Sequence, residues 1–181
     1  MKKLFLSSII ALSFMAAQAQ DFVRELDKKT DKVVLRGKIT FDDIRDESIY
    51  KWFENGSKGY DPDAEAIEGL RRYAGNYRFV VFAGMWCEDT WNLLPKFHKV
   101  LKEAHIDMNA VVMYGVNRRK EALNIEHQFY NIKSVPTIIV MMQHREVGRI
   151  IESVNKSMEA DLLNLIEKDA LEMERKKAAK Q

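Results

Sequence analysis

One cysteine, Cys87, is the side chain in this 181-residue sequence whose type and setting point to covalent chemistry. It sits in the stretch Phe79-Val80-Val81-Phe82-Ala83-Gly84-Met85-Trp86-Cys87-Glu88-Asp89-Thr90-Trp91. A thiolate is a strong nucleophile, and a lone thiol can form an adduct with another molecule but no disulfide within the chain. Phe79 to Phe82 is an apolar run of β-formers suited to a strand buried on both faces. From Leu93 the apolar residues return at helical spacing through Phe97, Val100, Leu101 and Ala104, so an amphipathic helix follows. Cys87 therefore falls in the strand-to-helix turn. There, unpaired backbone N–H groups and the positive end of the helix dipole favour an anion. Glu88 and Asp89 oppose that field, each by about 1 kcal/mol or less in water-like surroundings.

No second catalytic partner is evident in the pattern. His98, His105, His127 and His144 are scattered, and His98 lies about 16 Å further along the same helix. Cys87 with Glu88 and Asp89 lacks further ligands of the kind a metal needs, so neither metal nor cofactor is expected. Thr90 can offer a hydroxyl to the Cys87 sulfur across one helical turn, or serve as a helix cap.

The elements that position this turn follow in chain order. Lys2-Lys3, the apolar stretch Leu4 to Ala16 and Ala17-Gln18-Ala19 have the form of a signal peptide, with cleavage expected after Ala19 and residues 1–19 discarded. That apolar stretch is too short to span a bilayer, and no stable membrane anchor is expected. Taking Lys2 and Lys3 from the 29 basic residues balances the 27 acidic ones, so the exported chain has no basic footprint for nucleic acid. With 46% apolar and 31% charged residues the whole sequence has a globular composition.

Residues 20–60 read as an extension with little structure of its own: a weak strand within 32–41 and a short helix or turn at 48–53, stopped by Asn55-Gly56. Trp52, Phe53 and Tyr60 pack it onto the main domain, or form an aromatic ligand patch. Asp61 and Pro62 open a helix as N-cap and first residue, with Gly75 at its end. A strand over 109–114, a polar helix over 118–128, a hairpin of 138–142 with 146–151, and a helix capped by Ser157 complete the domain. Residues 173–181 read as a solvated helix end. The order implies an α/β fold, a mixed central sheet flanked by helices. Trp91 has no evident core role and suggests a partner contact or packing against the extension.

In this arrangement the chain resembles the thioredoxin superfamily over residues 61–172. Four features agree in order: the strand followed by Trp86-Cys87-x-x-Thr90, Pro95 inside the next helix, Tyr130-x-Ile132-x-x-Val135-Pro136-Thr137, and the terminal hairpin and helix. It is most similar to exported, single-cysteine members with a short N-terminal extension. The resemblance implies Cys87 as attacking thiol with Thr90 beside it. It implies a substrate surface from Trp86, Val135, Pro136 and Thr137, with a cis bond before Pro136 leaving Val135 backbone groups free. The implied partners are proteins or small thiols and disulfides. Two departures stand out. Thr90 replaces the resolving cysteine, so an external thiol must release any mixed disulfide. Val81 stands where the family often has a buried acid. Together they leave a monothiol oxidoreductase or a non-catalytic, chaperone-like binding module as the two readings.

Overall fold

The computed structural model describes residues 21–179; the expected signal segment lies outside them. Six strands form one sheet: β1 (Phe22–Leu26), β2 (Val33–Ile39), β3 (Tyr77–Ala83), β4 (Val111–Gly115), β5 (Thr137–Met142) and β6 (Arg145–Ile151). Their spatial order is β1-β2-β4-β3-β5-β6, with β3 and β4 parallel and all other neighbours antiparallel. The sheet is mixed and flanked by helices, a thioredoxin-like fold.

Strand β3 is central, and its alternation divides the core. Phe79 and Val81 face a large cluster with Leu93, Phe97, Leu101, Leu162 and Ile166. Val80 and Phe82 face a smaller one with Val116, Ile132, Val135 and Ile139. Helices α4 (Glu88–Glu103) and α6 (Met158–Ala178) supply the large cluster. Ser157 caps α6 by accepting the Ala160 N–H, as the sequence predicts. The helix runs on to Ala178 with an exposed last turn.

The extension departs most from expectation. Residues 22–58 are not lightly structured: β1 and β2 extend the central sheet, and two helices follow, α1 (Phe41–Asp46) and α2 (Lys51–Lys58). Thr40 and Asp43 form a reciprocal capping box that starts α1. Helix α2 passes straight through Asn55-Gly56, because Gly56 is a contact residue rather than a stop. A Cβ there would lie 2.8 Å from the Pro95 ring, so its absence lets α2 sit against α4 at the expected helix-interior proline.

Two other boundaries move. Asp63, not Asp61, caps α3 (Ala64–Tyr73) by accepting the Ala66 N–H at 2.9 Å, and a 3-10 turn over Ala74–Asn76 replaces a Gly75 cap. Of the polar helix expected over 118–128 only α5 (Glu126–Phe129) forms. The Asn117 side-chain oxygen Oδ1 accepts the N–H groups of Arg119 and Glu121, and His127 Nδ1 accepts that of Ala122. These local bonds offer the backbone an alternative to helix.

His98 belongs to the seam between extension and domain. It is 8% exposed, its ring centroid 4.7 Å from that of Phe41 and 5.2 Å from that of Phe53, and among the described residues its Nδ1 has no hydrogen-bond partner. Burial first, then the charges of Arg45 and Lys102, push its pKa down to about 4. The unfolded histidine titrates near pH 6.5. As pH falls from about 6.5 to about 4 the unfolded chain therefore takes up a proton that the folded chain refuses. Stability present above that window is lost across it, by about 3 kcal/mol. Chemical denaturation at pH 7.5 and pH 4.5 should show His98→Leu losing about 2–3 kcal/mol less than the wild type. Equal losses in the two proteins would refute this role.

Candidate active site

The turn after β3 begins with Gly84, and the need for glycine there is steric. An added Cβ would lie 2.8 Å from Trp86 Cε2 and 3.1 Å from Val135 Cγ2. The Trp86 indole folds back over this bare backbone and donates its N–H to the Val116 carbonyl at 3.0 Å. Cys87 then occupies the N-cap of α4 in an extended conformation, with no capping bond from its side chain. Its N–H donates to the Gly84 carbonyl at 2.9 Å. The half-buried Cys87 thiol lies 3.2 Å from the Val135 carbonyl oxygen, to which it donates.

The Val135–Pro136 peptide bond is cis. Among the described residues the Val135 N–H has no hydrogen-bond partner, while the Val135 carbonyl is engaged by the thiol. Trp86, Cys87, Val135 and Pro136 thus come together at one end of the sheet. Thr137 is adjacent but buried, and its hydroxyl donates to the Ser134 carbonyl at 2.7 Å, so it shapes the loop.

Among the described residues no hydrogen bond joins Thr90 to the Cys87 sulfur, and the N-cap of α4 is Cys87. Thr90 is fully buried, and its hydroxyl oxygen accepts the Gly84 N–H at 3.3 Å, tying the first turn of α4 to the start of the loop. Val81 is also fully buried among apolar neighbours. Trp91 packs against the extension: its ring stacks on Trp52 with centroids 6.4 Å apart, and its N–H donates to the Met85 carbonyl at 2.8 Å.

Two residues that the sequence reading passed over complete the site. Arg118 lies over the Trp86 ring at 5.0 Å from its centroid. It also donates two hydrogen bonds to Asp27, at 2.8 and 2.6 Å. The Asp27 carboxylate further accepts the Lys29 N–H and the Thr30 hydroxyl, closing the β1–β2 turn. The Arg118 hydrogen bonds, opposed in part by burial, hold this carboxyl far below the usual carboxylate range. The same bonds push the Arg118 pKa further up. Only the Asp-x-x-Thr pattern of Asp27 and Thr30, typical of a side-chain-capped turn, marks this corner in the sequence.

A half-buried thiol at a helix start, facing a cis-proline loop beside a central strand, defines a thioredoxin-type site. A family model described as thioredoxin matches residues 46–164, more than half of the sequence, and the chain belongs to that family. The match begins upstream of α2, so that helix lies within it. Among solved structures the chain is similar to a protein of unknown function from Pseudomonas aeruginosa. That pair shares 15% identity over 73% of this chain and 93% of that one, with a TM-score of 0.52. It is also similar to the reduced thioredoxin pre-protein of Schistosoma mansoni (21% identity, 59% of this chain and 90% of that one, TM-score 0.37). Thioredoxin O2 of Arabidopsis thaliana in its oxidised state is a third (18%, 57% and 83%, TM-score 0.37). No curated protein matches.

Gly84→Ala should destabilise the protein by about 1–3 kcal/mol through overpacking against Trp86 and Val135, measured by urea denaturation. Unchanged stability would show that the turn relaxes freely. Asp27→Asn should destabilise it at neutral pH. Because the folded pKa of Asp27 is depressed, that difference is full above about pH 4 and shrinks as pH falls further, since only the unfolded wild type then takes up the proton. A difference that grows on acidification would contradict the ion pair as its source.

Proposed function

We propose that the chain is an exported thiol-disulfide exchange protein working through a mixed disulfide at Cys87. The observation that carries this reading is the Cys87 sulfur, half-buried at the start of α4 and 3.2 Å from the Val135 carbonyl, with an unpartnered Val135 N–H beside it. In the first step the Cys87 thiolate attacks one sulfur of a substrate disulfide. The new bond joins Cys87 to that sulfur, the old disulfide breaks, and the other half leaves as a thiolate. In the second step an external thiolate attacks the substrate sulfur of the adduct and regenerates Cys87. No net oxidant is consumed, since one disulfide is exchanged for another.

The residues around the sulfur serve positioning. Trp86 walls one side, held by Val116 and Arg118. The free Val135 N–H suits an extended substrate chain, which would pair with it as a strand edge pairs. Thr90, bonded to Gly84 and buried, keeps the turn in place without entering the chemistry. Export rests on the form of residues 1–19.

A second reading, a binding module without turnover, is favoured by Thr90 and Val81. Both occupy redox positions of the family as inert, buried side chains. Exposure to glutathione disulfide separates the two. Wild type should gain one glutathione, seen by intact mass and released by excess reduced thiol, while Cys87→Ser gains none. An unmodified wild-type protein at neutral pH would leave the binding module as the better account.

A further inference from the structure

All three tryptophans of the chain line one cavity. Trp52 comes from α2, and Trp86 and Trp91 flank Cys87 in sequence. With Val33, Tyr50 and Met85 they enclose about 290 Å³. The walls are apolar and held in place. The indole N–H groups of Trp86 and Trp91 are bonded to backbone carbonyls, and Trp52 is stacked on Trp91. Rigid aromatic walls lose little conformational freedom when a ligand fills the space between them, and such residues carry much of the energy of protein recognition.

Trp86 is also a wall of a second cleft of about 450 Å³, between the β1–β2 turn and residues 117–119. Lys28, Lys29, Arg118 and Arg119 gather there, with Glu25 and Asp27, whose carboxylates are paired with Arg36 and Arg118. Arg118 and Arg119 are paired with Asp27 and Glu121. Among the described residues no carboxylate lies within ion-pair distance of Lys28, Lys29 or Lys32. Lys32 lines the tryptophan cavity itself, its ammonium 6.0 Å from the Trp91 ring centroid.

We propose that the extension builds a specificity site for an extended segment of a partner protein that carries a large apolar side chain beside an acidic residue. The apolar side chain enters the tryptophan cavity, and the carboxylate meets Lys28, Lys29 and Lys32. The volume suits one aromatic side chain, at the lower edge of the roughly 300–1,000 Å³ typical of small-molecule sites. Charge complementarity selects the acid. This deepens the exchange reading and rests on it, since Trp86, the residue preceding Cys87, is a wall of both the cavity and the cleft.

The test uses the full exported chain with Cys87→Ser, so that no exchange occurs, and reads intrinsic tryptophan fluorescence. Three tryptophan-free synthetic peptides are titrated: phenylalanine flanked by glutamates, phenylalanine flanked by lysines, and serine flanked by glutamates. The first should bind about tenfold or more tightly than the other two. Trp52→Ser, and separately the surface triple variant Lys28→Gln, Lys29→Gln, Lys32→Gln, should each weaken the first peptide about tenfold. The loss in the triple variant should diminish with added salt. The proposal is overturned by equal binding of all three peptides, by binding of free N-acetylphenylalanine as tight as that of the first peptide, or by a signal that follows self-association. Glutathionylation of the wild type is scored separately. A reactive Cys87 without peptide discrimination removes only the specificity site, and discrimination with an unreactive thiol removes only the exchange reading.

Discussion

The contact between the Cys87 thiol and the Val135 carbonyl, 48 residues apart in sequence, is the constraint around which the site is built. It exists because of strand register. Phe82 pairs with Thr137 across the antiparallel β3–β5 ladder, so the chain leaving β3 and the chain entering β5 meet at the same end of the sheet. Strand β4 runs parallel to β3 with Ala83 opposite Gly115, which delivers Val116 to that end, where its carbonyl takes the Trp86 N–H. Strand β2 runs antiparallel to β4 with Gly37 opposite Gly115, so its first residues and the β1–β2 turn project beyond that end as well. A one-residue slip in any of these ladders would turn each buried side chain to the wrong face. The site geometry is therefore as well determined as the core itself.

Within that frame the turn is rigid for reasons unrelated to redox chemistry. Gly84 admits the Trp86 ring, Thr90 ties the helix to the loop, and Arg118 holds the outer face of the indole while Asp27 holds Arg118. Thr90 is a buried threonine whose hydroxyl is satisfied inside the fold. A buried hydroxyl without a partner would be costly, so Gly84 gives Thr90 a structural reason to be there. Val81 fills the core where an acid would need its own partner.

What was legible in the sequence was local. The change from strand to helix around Cys87, Pro95 within α4, the Ser157 cap and the terminal hairpin each rest on neighbours within a few residues. What was hidden depends on distant partners. The Asp27–Arg118 pair spans 91 positions, and neither residue differs in type from ordinary surface charges. Gly56 has the composition of a stop, but its meaning lies in Pro95, which only packing brings near. The segment after Asn117 has helical spacing, yet the Asn117 side chain captures the backbone first. Strand β1 has little local signature, because Phe22 to Leu26 lies at the sheet edge, pairs among the described residues with β2 alone, and has a weak burial pattern.

The folded extension and the missing second cysteine bear on one another. A dithiol site can accept many disulfides, because its own second thiol clears an adduct that has bound poorly. A single thiol has no such escape, and every adduct it forms waits for an outside thiol. In such a protein discrimination has to act before the first sulfur–sulfur bond forms, through non-covalent contacts beside the nucleophile. In the exchange function proposed above, the extension supplies them. It adds Trp52 and the β1–β2 turn to the two sides of Trp86, and it is anchored there by Asp27 rather than left to swing on a tether. Preorganised contacts of this kind strengthen binding without new chemistry. The strands and helices of residues 22–58 thus line the clefts on both sides of Trp86 as well as packing into the core.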